Sequence, residues 1–306
     1  MAEPVTTHSP PWPRAAGSGP VVALGKLVAD QVLQLSAPLM VGSQQRVVRT
    51  TTAGGAPANV TANLARLGVP ARLAGWAGAD PLADELLAGL AARGIEIDVV
   101  RRGRTPVSTV LAHPDGERTL LSDGGEGGLE ADDVRPEWVA GAAVLHVDGY
   151  DLLRYPAALA RAAAIAREAG VPVSADVAAA SRIEAHGRDA YMALLADLRA
   201  DVLFCNAAEA AALGPTGDLA ELVVVHAGAR PTRVLWRGDS REVPVDPLPD
   251  GALRDTTGCG DAVAAGVLAG WRAGVPVIDA VRAGHAAAAV VASVIGGQPP
   301  VSRPAG

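Results

Sequence analysis

The sequence contains few cysteine, lysine and aromatic residues, and it has no long apolar run. Of its 306 residues two are cysteine, 3% are aromatic and a single one, Lys26, is lysine. Two cysteines cannot build a disulfide framework, which indicates a reducing compartment. The longest apolar stretches, Trp138–Val147 and Ala286–Ile295, run about ten residues, whereas a membrane-spanning helix needs about 20. We therefore predict no contact with a membrane.

Basic clusters are also absent. The formal net charge is −7, and the arginines are scattered along the chain, so the electrostatic footprint of a nucleic-acid partner is missing. Hydrophobic residues make up 49% of the chain, which is enough for a large core. Residues 1–19 are rich in proline and lack the apolar segment of a signal peptide. We expect a disordered tail over 1–19 and one cytoplasmic domain over 20–306.

Short apolar runs alternate with helical patterns from Val21 onward. The runs Val202–Cys205 and Leu222–Val225 are apolar throughout, and Val144–Val147 is apolar except for His146. Such runs are typical of parallel strands covered on both faces. Further β-type segments within 31–53 and 96–122 interrupt this order, the latter around a hairpin signal at Asp115-Gly116. The pattern predicts an α/β fold with a mainly parallel sheet and a small β-subdomain.

The strongest chemical signal is a glycine-rich turn, Asp255-Thr256-Thr257-Gly258-Cys259-Gly260-Asp261, before a predicted helix. Such a turn leaves backbone N–H groups unpaired, and together with the helix dipole they form an anion site. A carboxylate in the first helical turn, Asp261, suits a group that deprotonates an attacking hydroxyl, and we expect the dipole to keep it ionised. A plain capped helix start would explain the same residues.

A second tight turn, Gly54-Gly55-Ala56-Pro57-Ala58-Asn59, also opens a helix. Two glycines let a ligand approach the backbone closely, and the amide of Asn59 can both donate and accept hydrogen bonds, as a polyol requires. An ordinary turn with Asn59 capping locally is the alternative.

In order and separation, the two turns resemble the two signatures of the ribokinase-like, or PfkB, carbohydrate kinases. The resemblance covers about residues 20–302, with Cys259 where alanine is commoner. It implies a three-layer α/β/α domain with a mainly parallel sheet and a β-lid, whose strands would be those within 31–53 and 96–122. It also implies ATP and Mg²⁺ as cofactors, a small sugar as substrate, and a homodimer formed through the lid.

The resemblance assigns the reacting centre and the acceptor contacts. Gly258, Cys259 and Gly260 match the anion hole, and Asp261 matches the catalytic base. The residues that match acceptor-binding positions are Asp30, Gly55, Asn59 and Asp148. A strand-end aspartate that only caps a loop would also account for Asp30.

On the nucleotide side, Asn206 and Glu209 match a family pair that places magnesium and phosphate. Oxygen ligands on one helical turn suit Mg²⁺, although a helix N-cap with a first-turn acid has the same spacing. The other residues matched to nucleotide binding are His226, Gly228 and His285. In His226-Ala227-Gly228-Ala229-Arg230-Pro231, proline replaces the usual second glycine, so we expect an altered nucleotide pocket.

A potassium ion beside the anion hole is a further implication of the resemblance. Its ligands would be Asp255 and Thr257, with the carbonyls of Val291, Val294 and Gly296. Pro300 stands where a serine can add an oxygen. The alternative is that Asp255 merely caps the turn through Thr257.

The function that follows is an ATP-dependent sugar kinase. A nucleoside kinase of the same family is the alternative within this chemistry, and it needs an apolar floor for a base. The altered loop at 226–231 also leaves open a sugar-binding protein with weakened catalysis, against which the intact run Asp255–Asp261 argues.

Overall fold

Thirteen strands in two sheets organise the computed structural model, which describes residues 9–114, 118–177, 179–217 and 219–299. The strands are β1 (Val21–Lys26), β2 (Val28–Leu35), β3 (Val47–Gly54), β4 (Ala71–Ala77), β5 (Glu96–Arg101), β6 (Val107–Ala112), β7 (Arg118–Asp123), β8 (Val144–Val147), β9 (Val173–Asp176), β10 (Val202–Asn206), β11 (Leu222–Ala227), β12 (Arg230–Trp236) and β13 (Asp239–Val243).

The larger sheet has nine strands in the order β13-β12-β11-β10-β9-β8-β1-β4-β5. From β11 to β5 all neighbours are parallel, and β12 and β13 close one edge as an antiparallel hairpin. Successive side chains of β1 point to opposite faces. Val22 and Leu24 therefore enter one core layer, while Val21 and Ala23 enter the other.

Helices cover both faces of this sheet. They are α1 (Ala56–Arg66), α2 (Pro81–Ala91), α3 (Gly149–Arg154), α4 (Pro156–Glu168), α5 (Ala180–His186), α6 (Arg188–Leu198), α7 (Ala207–Leu213), α8 (Cys259–Ala273) and α9 (Val277–Ala292). Residues of α4 and α6 pack in one core layer, and those of α1, α8 and α9 in the other. The predicted three-layer α/β architecture is confirmed. Within the described ranges, no helix combines the length and the apolar character needed to cross a bilayer.

The second sheet, which we call the lid sheet, has the order β3-β2-β6-β7. It confirms the predicted small sheet but corrects one of its segments. Residues 96–101 form β5, which pairs in parallel with β4 at the edge of the large sheet. The side chains of Ile95, Ile97 and Val99 face the core layer under α2, and this burial places the strand there. The predicted turn at Asp115-Gly116 lies outside the described residues.

Proline divides a segment that the sequence pattern predicts as one helix over 152–169. The structure has α3 and α4 there, separated at Tyr155, whose φ is −132° and ψ 50°. A residue before proline is pushed away from helical geometry, and Pro156 then opens the next helix, where its missing N–H costs nothing.

The N-terminal segment differs from the expected disordered tail. Residues 1–8 lie outside the described part, but Trp12 stacks on Trp271 with ring centroids 5.3 Å apart, and its indole N–H donates to the Val275 carbonyl. The indole of Trp271 in turn donates to the Arg14 carbonyl at 2.8 Å. Aromatic burial of this kind offsets the entropy of ordering the segment, and its proline content does not reveal it.

Candidate active site

A cavity of about 1560 Å³ lies at the carboxyl ends of the parallel strands, under the lid sheet. In a parallel sheet these ends meet along one edge, where ligands bind. Five neighbouring strands, β1, β8, β9, β10 and β11, each deliver a polar side chain at or just after the strand end: Lys26, Asp148, Asp176, Asn206 and His226. The lid sheet contributes Val28, Asp30, Val107, Ser108, Leu120 and Ser122.

The turn before α1 needs both of its glycines. A Cβ on Gly54 would lie 2.1 Å from Oδ2 of Asp30, so the missing side chain makes room for that carboxylate. Gly55 has a φ of +84°, and a Cβ there would lie 2.8 Å from the Lys26 carbonyl. The turn thus brings Asp30 of the lid sheet to the start of α1.

The amide of Asn59 holds the carboxylate of Asp261. Its Nδ2 donates to Asp261 Oδ2 at 2.8 Å, and its Oδ1 accepts from Gln298 Nε2 at 3.2 Å. Gln298 is anchored by a second hydrogen bond to the Ala53 carbonyl. Both ends of the Asn59 amide therefore contact protein groups, and this residue positions Asp261 in addition to lying beside the predicted acceptor site.

Burial governs the protonation of Asp261. It raises the pKa of the carboxyl to about 6, and the Asn59 hydrogen bond acts in the opposite direction. The expectation that the helix dipole keeps this group ionised therefore applies only above a pH of about 6. The carboxylate is still the major form at neutral pH, and its raised pKa makes it a better proton acceptor than an exposed aspartate.

The loop before α8 presents its backbone to the cavity. Gly258 has a φ of +76°, and a Cβ on it would lie 2.6 Å from the Cα of Gly297, so only glycine fits. The Cys259 N–H donates to the Thr256 carbonyl at 3.2 Å, which leaves Gly258 and Gly260 as the loop residues best placed to offer N–H groups to an anion. Burial raises the pKa of the Cys259 thiol to about 11, so it stays protonated.

Glu209 is a buried carboxyl group in the cavity wall. Glu209 accepts from the backbone N–H of Asn206 at 2.8 Å and from its Nδ2 at 2.6 Å, and Asn206 caps α7 in return. Asn206 and Glu209 therefore form a helix cap, and the carboxylate of Glu209 also lines the cavity. Burial raises the pKa of Glu209 to about 7.

Asp176 is a site residue that the sequence argument missed. It ends β9, accepts from the Val177 N–H at 2.9 Å and lines the cavity. Burial, and then the nearby charge of Glu209, hold its pKa well above the usual range. The sequence feature that could have identified Asp176 is its position at the end of a predicted strand, which is the feature that identified Asp148. Within the described ranges, no group of three or more His, Cys, Asp or Glu side chains is arranged to hold a metal unaided.

Asp30 and Asp148 are the carboxyl groups of the predicted acceptor end. Burial raises the pKa of both to about 7, and Asp261 adds to the effect on Asp30. Asp148 also accepts from the Tyr150 N–H at 3.0 Å and caps α3. Both groups can switch between donating and accepting near neutral pH, which matches the two-way hydrogen bonding of sugar hydroxyls.

The predicted nucleotide side is lined by His226, Gly228 and His285. The His226 ring lies against Gly260, with Nε2 at 3.3 Å from the position of a Cβ, and burial lowers its pKa to about 4. His285 Nε2 is 2.8 Å from Thr232 Oγ1. Gly228, with a φ of +64°, lies in the turn between β11 and β12, so the altered loop forms a hairpin with Pro231 inside β12.

Three of the residues predicted to bind potassium, Asp255, Thr257 and Gly296, come together behind the loop. Asp255 is 4% exposed, and its carboxylate accepts from the N–H groups of Thr257 at 2.7 Å and Gly296 at 2.9 Å. The Val294 N–H donates to the Val291 carbonyl at 3.1 Å. A smaller cavity of about 220 Å³ touches Asp30, Arg254, Asp255, Thr257 and Gly296. Pro300 lies outside the described residues.

Comparison with known proteins places this arrangement among kinases. A model described as "pfkB family carbohydrate kinase" matches residues 21–304. The ATP-dependent ribose-1-phosphate kinase of Halopiger xanaduensis is 36% identical over 71% of this chain and 73% of its own length. An adenosine kinase from Sinorhizobium meliloti has a TM-score of 0.79 at 24% identity, covering 93% of this chain and 97% of its own. A putative ribokinase II from E. coli, in complex with ATP and Mg²⁺, has a TM-score of 0.79 at 20% identity, covering 93% and 96%. These last two likenesses show a shared fold.

The close approach of Gly258 to Gly297 gives a stability prediction. Gly258→Ala and Gly274→Ala both place alanine at a positive φ, +76° and +68°, which costs about 1–2 kcal/mol each. Around Gly274 there is open space, so it is the matched control. We expect Gly258→Ala to lower the urea midpoint of unfolding clearly more than Gly274→Ala. Equal losses would show that the loop does not need its contact with Gly297.

Proposed function

The chain belongs to the pfkB family of carbohydrate kinases, and from this premise we propose that it transfers the γ-phosphoryl group of ATP to a hydroxyl of a small sugar at the cavity between the large sheet and the lid sheet. The observation that carries the proposal is the hydrogen bond from Asn59 to Asp261. It fixes a buried carboxylate of raised pKa beside the anion loop and across from Asp30.

In the transfer, the acceptor oxygen attacks the γ-phosphorus. A new O–P bond forms as the bond from phosphorus to the β,γ-bridging oxygen breaks, ADP leaves with that electron pair, and the hydroxyl proton passes to Asp261. Such transfer depends mainly on positioning and on stabilisation of charge. The N–H groups of Gly258 and Gly260 would stabilise the transferring phosphoryl group, since fixed donors need no reorganisation during the reaction.

Mg²⁺ fits the wall formed by Asp176, Asn206 and Glu209. The donors are hard oxygens. Burial raises the pKa values of both acids, and the charge of Glu209 adds to the effect on Asp176. Two carboxylates with bound waters and substrate phosphates are the set that Mg²⁺ prefers. When bound, the ion would neutralise charge on the phosphates. His226, Gly228 and His285 would line the nucleotide end. Because the reaction consumes ATP, we propose that the protein acts in the cytoplasm.

The acceptor would bind to Asp30 and Asp148, with Gly55 allowing its close approach and Asn59 at its edge. A nucleoside acceptor is the second candidate, because Tyr150 lines the same cavity and is 46% exposed, so its ring could stack on a base. For the assembly we propose a homodimer through the lid sheet, whose exposed apolar side chains include Val48 and Leu121.

The test of the function is release of ADP from MgATP across a panel of sugars, sugar phosphates and nucleosides. We expect turnover with a carbohydrate acceptor and a loss in kcat of roughly 10²–10⁴-fold in Asp261→Asn, the usual range for a positioned acid–base group, while calorimetry shows that the variant still binds the acceptor. Near-normal kcat in Asp261→Asn would remove the proposed base, and turnover with nucleosides alone would favour the second candidate.

The raised pKa of Asp261 predicts an acid limb. A carboxyl whose pKa is about 6 is protonated below that pH and cannot accept the hydroxyl proton, so kcat/KM should fall as pH decreases through about 6. Any change near neutral pH comes from Asp30, Asp148 and Glu209, whose pKa values lie at about 7. Because the Asn59 hydrogen bond lowers the pKa of Asp261, Asn59→Ala should move the limb to higher pH. A midpoint near 4, or movement toward lower pH in Asn59→Ala, would refute the assignment.

Potassium should activate the enzyme if the loop behind the anion hole binds it. The buried carboxylate of Asp255 and the oxygen atoms around the smaller cavity suit a monovalent cation, which would hold the loop so that its N–H groups converge. We expect a higher kcat in K⁺ than in Na⁺ or a bulky organic cation at equal ionic strength. Equal rates in all three would mean that no such cation acts there.

A further inference from the structure

The single lysine of the chain is built into the acceptor end of the cavity. The backbone N–H of Lys26 donates to Asp151 Oδ2 at 2.5 Å, and its Nζ donates to Asp151 Oδ1, also at 2.5 Å. The Asp151 side chain is fully buried, whereas that of Lys26 is 16% exposed and lines the cavity. One carboxylate therefore fixes both the main chain and the ammonium group, and the ammonium faces the ligand space.

The ammonium group of Lys26 has N–H donors that Asp151 does not use. It carries three N–H groups, and Asp151 accepts from one of them. Burial alone lowers the pKa of Lys26, but the charges of Asp151 and Asp148 outweigh it and leave the pKa above its ordinary value. The group is thus positively charged at neutral pH, with two donors available for a ligand.

A second cation, Arg154, ends α3 beside the same space. Its guanidinium lies against Gly124 after β7, with Nη1 at 2.8 Å from the position of a Cβ, and over the ring of Tyr155. In the described ranges no carboxylate lies within ion-pair distance of it. Other arginines near the lid sheet are paired, as Arg104 is with Asp123. Arg154 therefore lines the cavity, and its guanidinium N–H groups are not paired with a carboxylate of the described residues.

We propose that the acceptor is a sugar that already carries a phosphate monoester, and that Lys26 and Arg154 bind this phosphate. The inference rests on the proposed function and names its substrate class. A neutral sugar would offer no anion to the two Lys26 donors that Asp151 leaves available or to the guanidinium of Arg154, whereas phosphate oxygens accept from both in charge-assisted hydrogen bonds. The relative from Halopiger xanaduensis is named for a phosphorylated pentose, which agrees with this class.

The acidic residues of the cavity are compatible with an anionic acceptor. Asp123 is held by Arg104 at the rim, and the pKa values of Asp30 and Asp148, both about 7, allow these groups to bind hydroxyls in the protonated form. The two cations belong to the ends of β1 and α3, and the base belongs to the start of α8. One acceptor can therefore place its phosphate and its reacting hydroxyl on different elements.

The test compares ribose with ribose 1-phosphate, and fructose with fructose 6-phosphate, as acceptors of the wild-type protein with MgATP. We expect kcat/KM to be higher for the phosphorylated member of at least one pair. Arg154→Met should lower the ratio of kcat/KM for phosphorylated over free sugar about 10- to 100-fold, as expected for loss of a hydrogen bond to a charged group. Arg161→Met, which removes an exposed arginine on α4, should leave the ratio unchanged.

Lys26→Met alone leaves Asp151 buried without its partner and can fail to fold, so the double variant Lys26→Met/Asp151→Asn is made beside it. Calorimetric titration with the sugar phosphate in the absence of nucleotide gives a second readout. We expect weaker binding in Arg154→Met and in the double variant. A free sugar preferred in both pairs, or an unchanged ratio and unchanged binding in both variants, would overturn the proposal. Sugar phosphate that binds through these residues without any turnover would instead contradict the kinase function.

Discussion

The hydrogen bond between Asn59 and Asp261 joins parts of the chain 202 residues apart, and the site depends on it. Each residue lies in the first turns of a helix that starts at a glycine turn, and α1 and α8 pack side by side. Gln298 holds the other end of the Asn59 amide, while Gly297 fills the space that a side chain on Gly258 would need. The proposed base and the proposed anion loop are therefore fixed by the same few contacts.

A second constraint is electrostatic. Burial raises the pKa values of Asp30, Asp148, Asp176, Glu209 and Asp261 around one cavity. Buried carboxyl groups oppose folding unless they are protonated or paired, and a metal cation held by Asp176 and Glu209 would pair two of them. The same cavity also contains the ion pair of Lys26 with Asp151. This pair supplies a positively charged group without changing the net charge of the site. The cavity is thus suited to a metal-bound nucleotide at one end and an acceptor at the other.

Sequence reasoning identified the glycine turns and most polar strand ends, because parallel strands deliver their carboxyl ends to one edge whatever their partners are. It could not identify contacts between distant segments. The partner of Lys26 lies 125 residues away, and nothing in the spacing reveals it. Local pattern likewise left β5 ambiguous, since only packing under α2 places it in the large sheet. Asp176 followed the same strand-end rule as Asp148 and was within reach of the sequence.

The most direct measurement is a crystal structure with a non-hydrolysable ATP analogue and a bound acceptor. If Asp261 is the base of a phosphoryl-transfer site, the γ-phosphate should bind at the N–H groups of Gly258 and Gly260. An acceptor hydroxyl oxygen should then lie within hydrogen-bond distance of the Asp261 carboxylate. A γ-phosphate bound away from this loop, or an acceptor whose hydroxyls all lie beyond hydrogen-bond distance of Asp261, would contradict it.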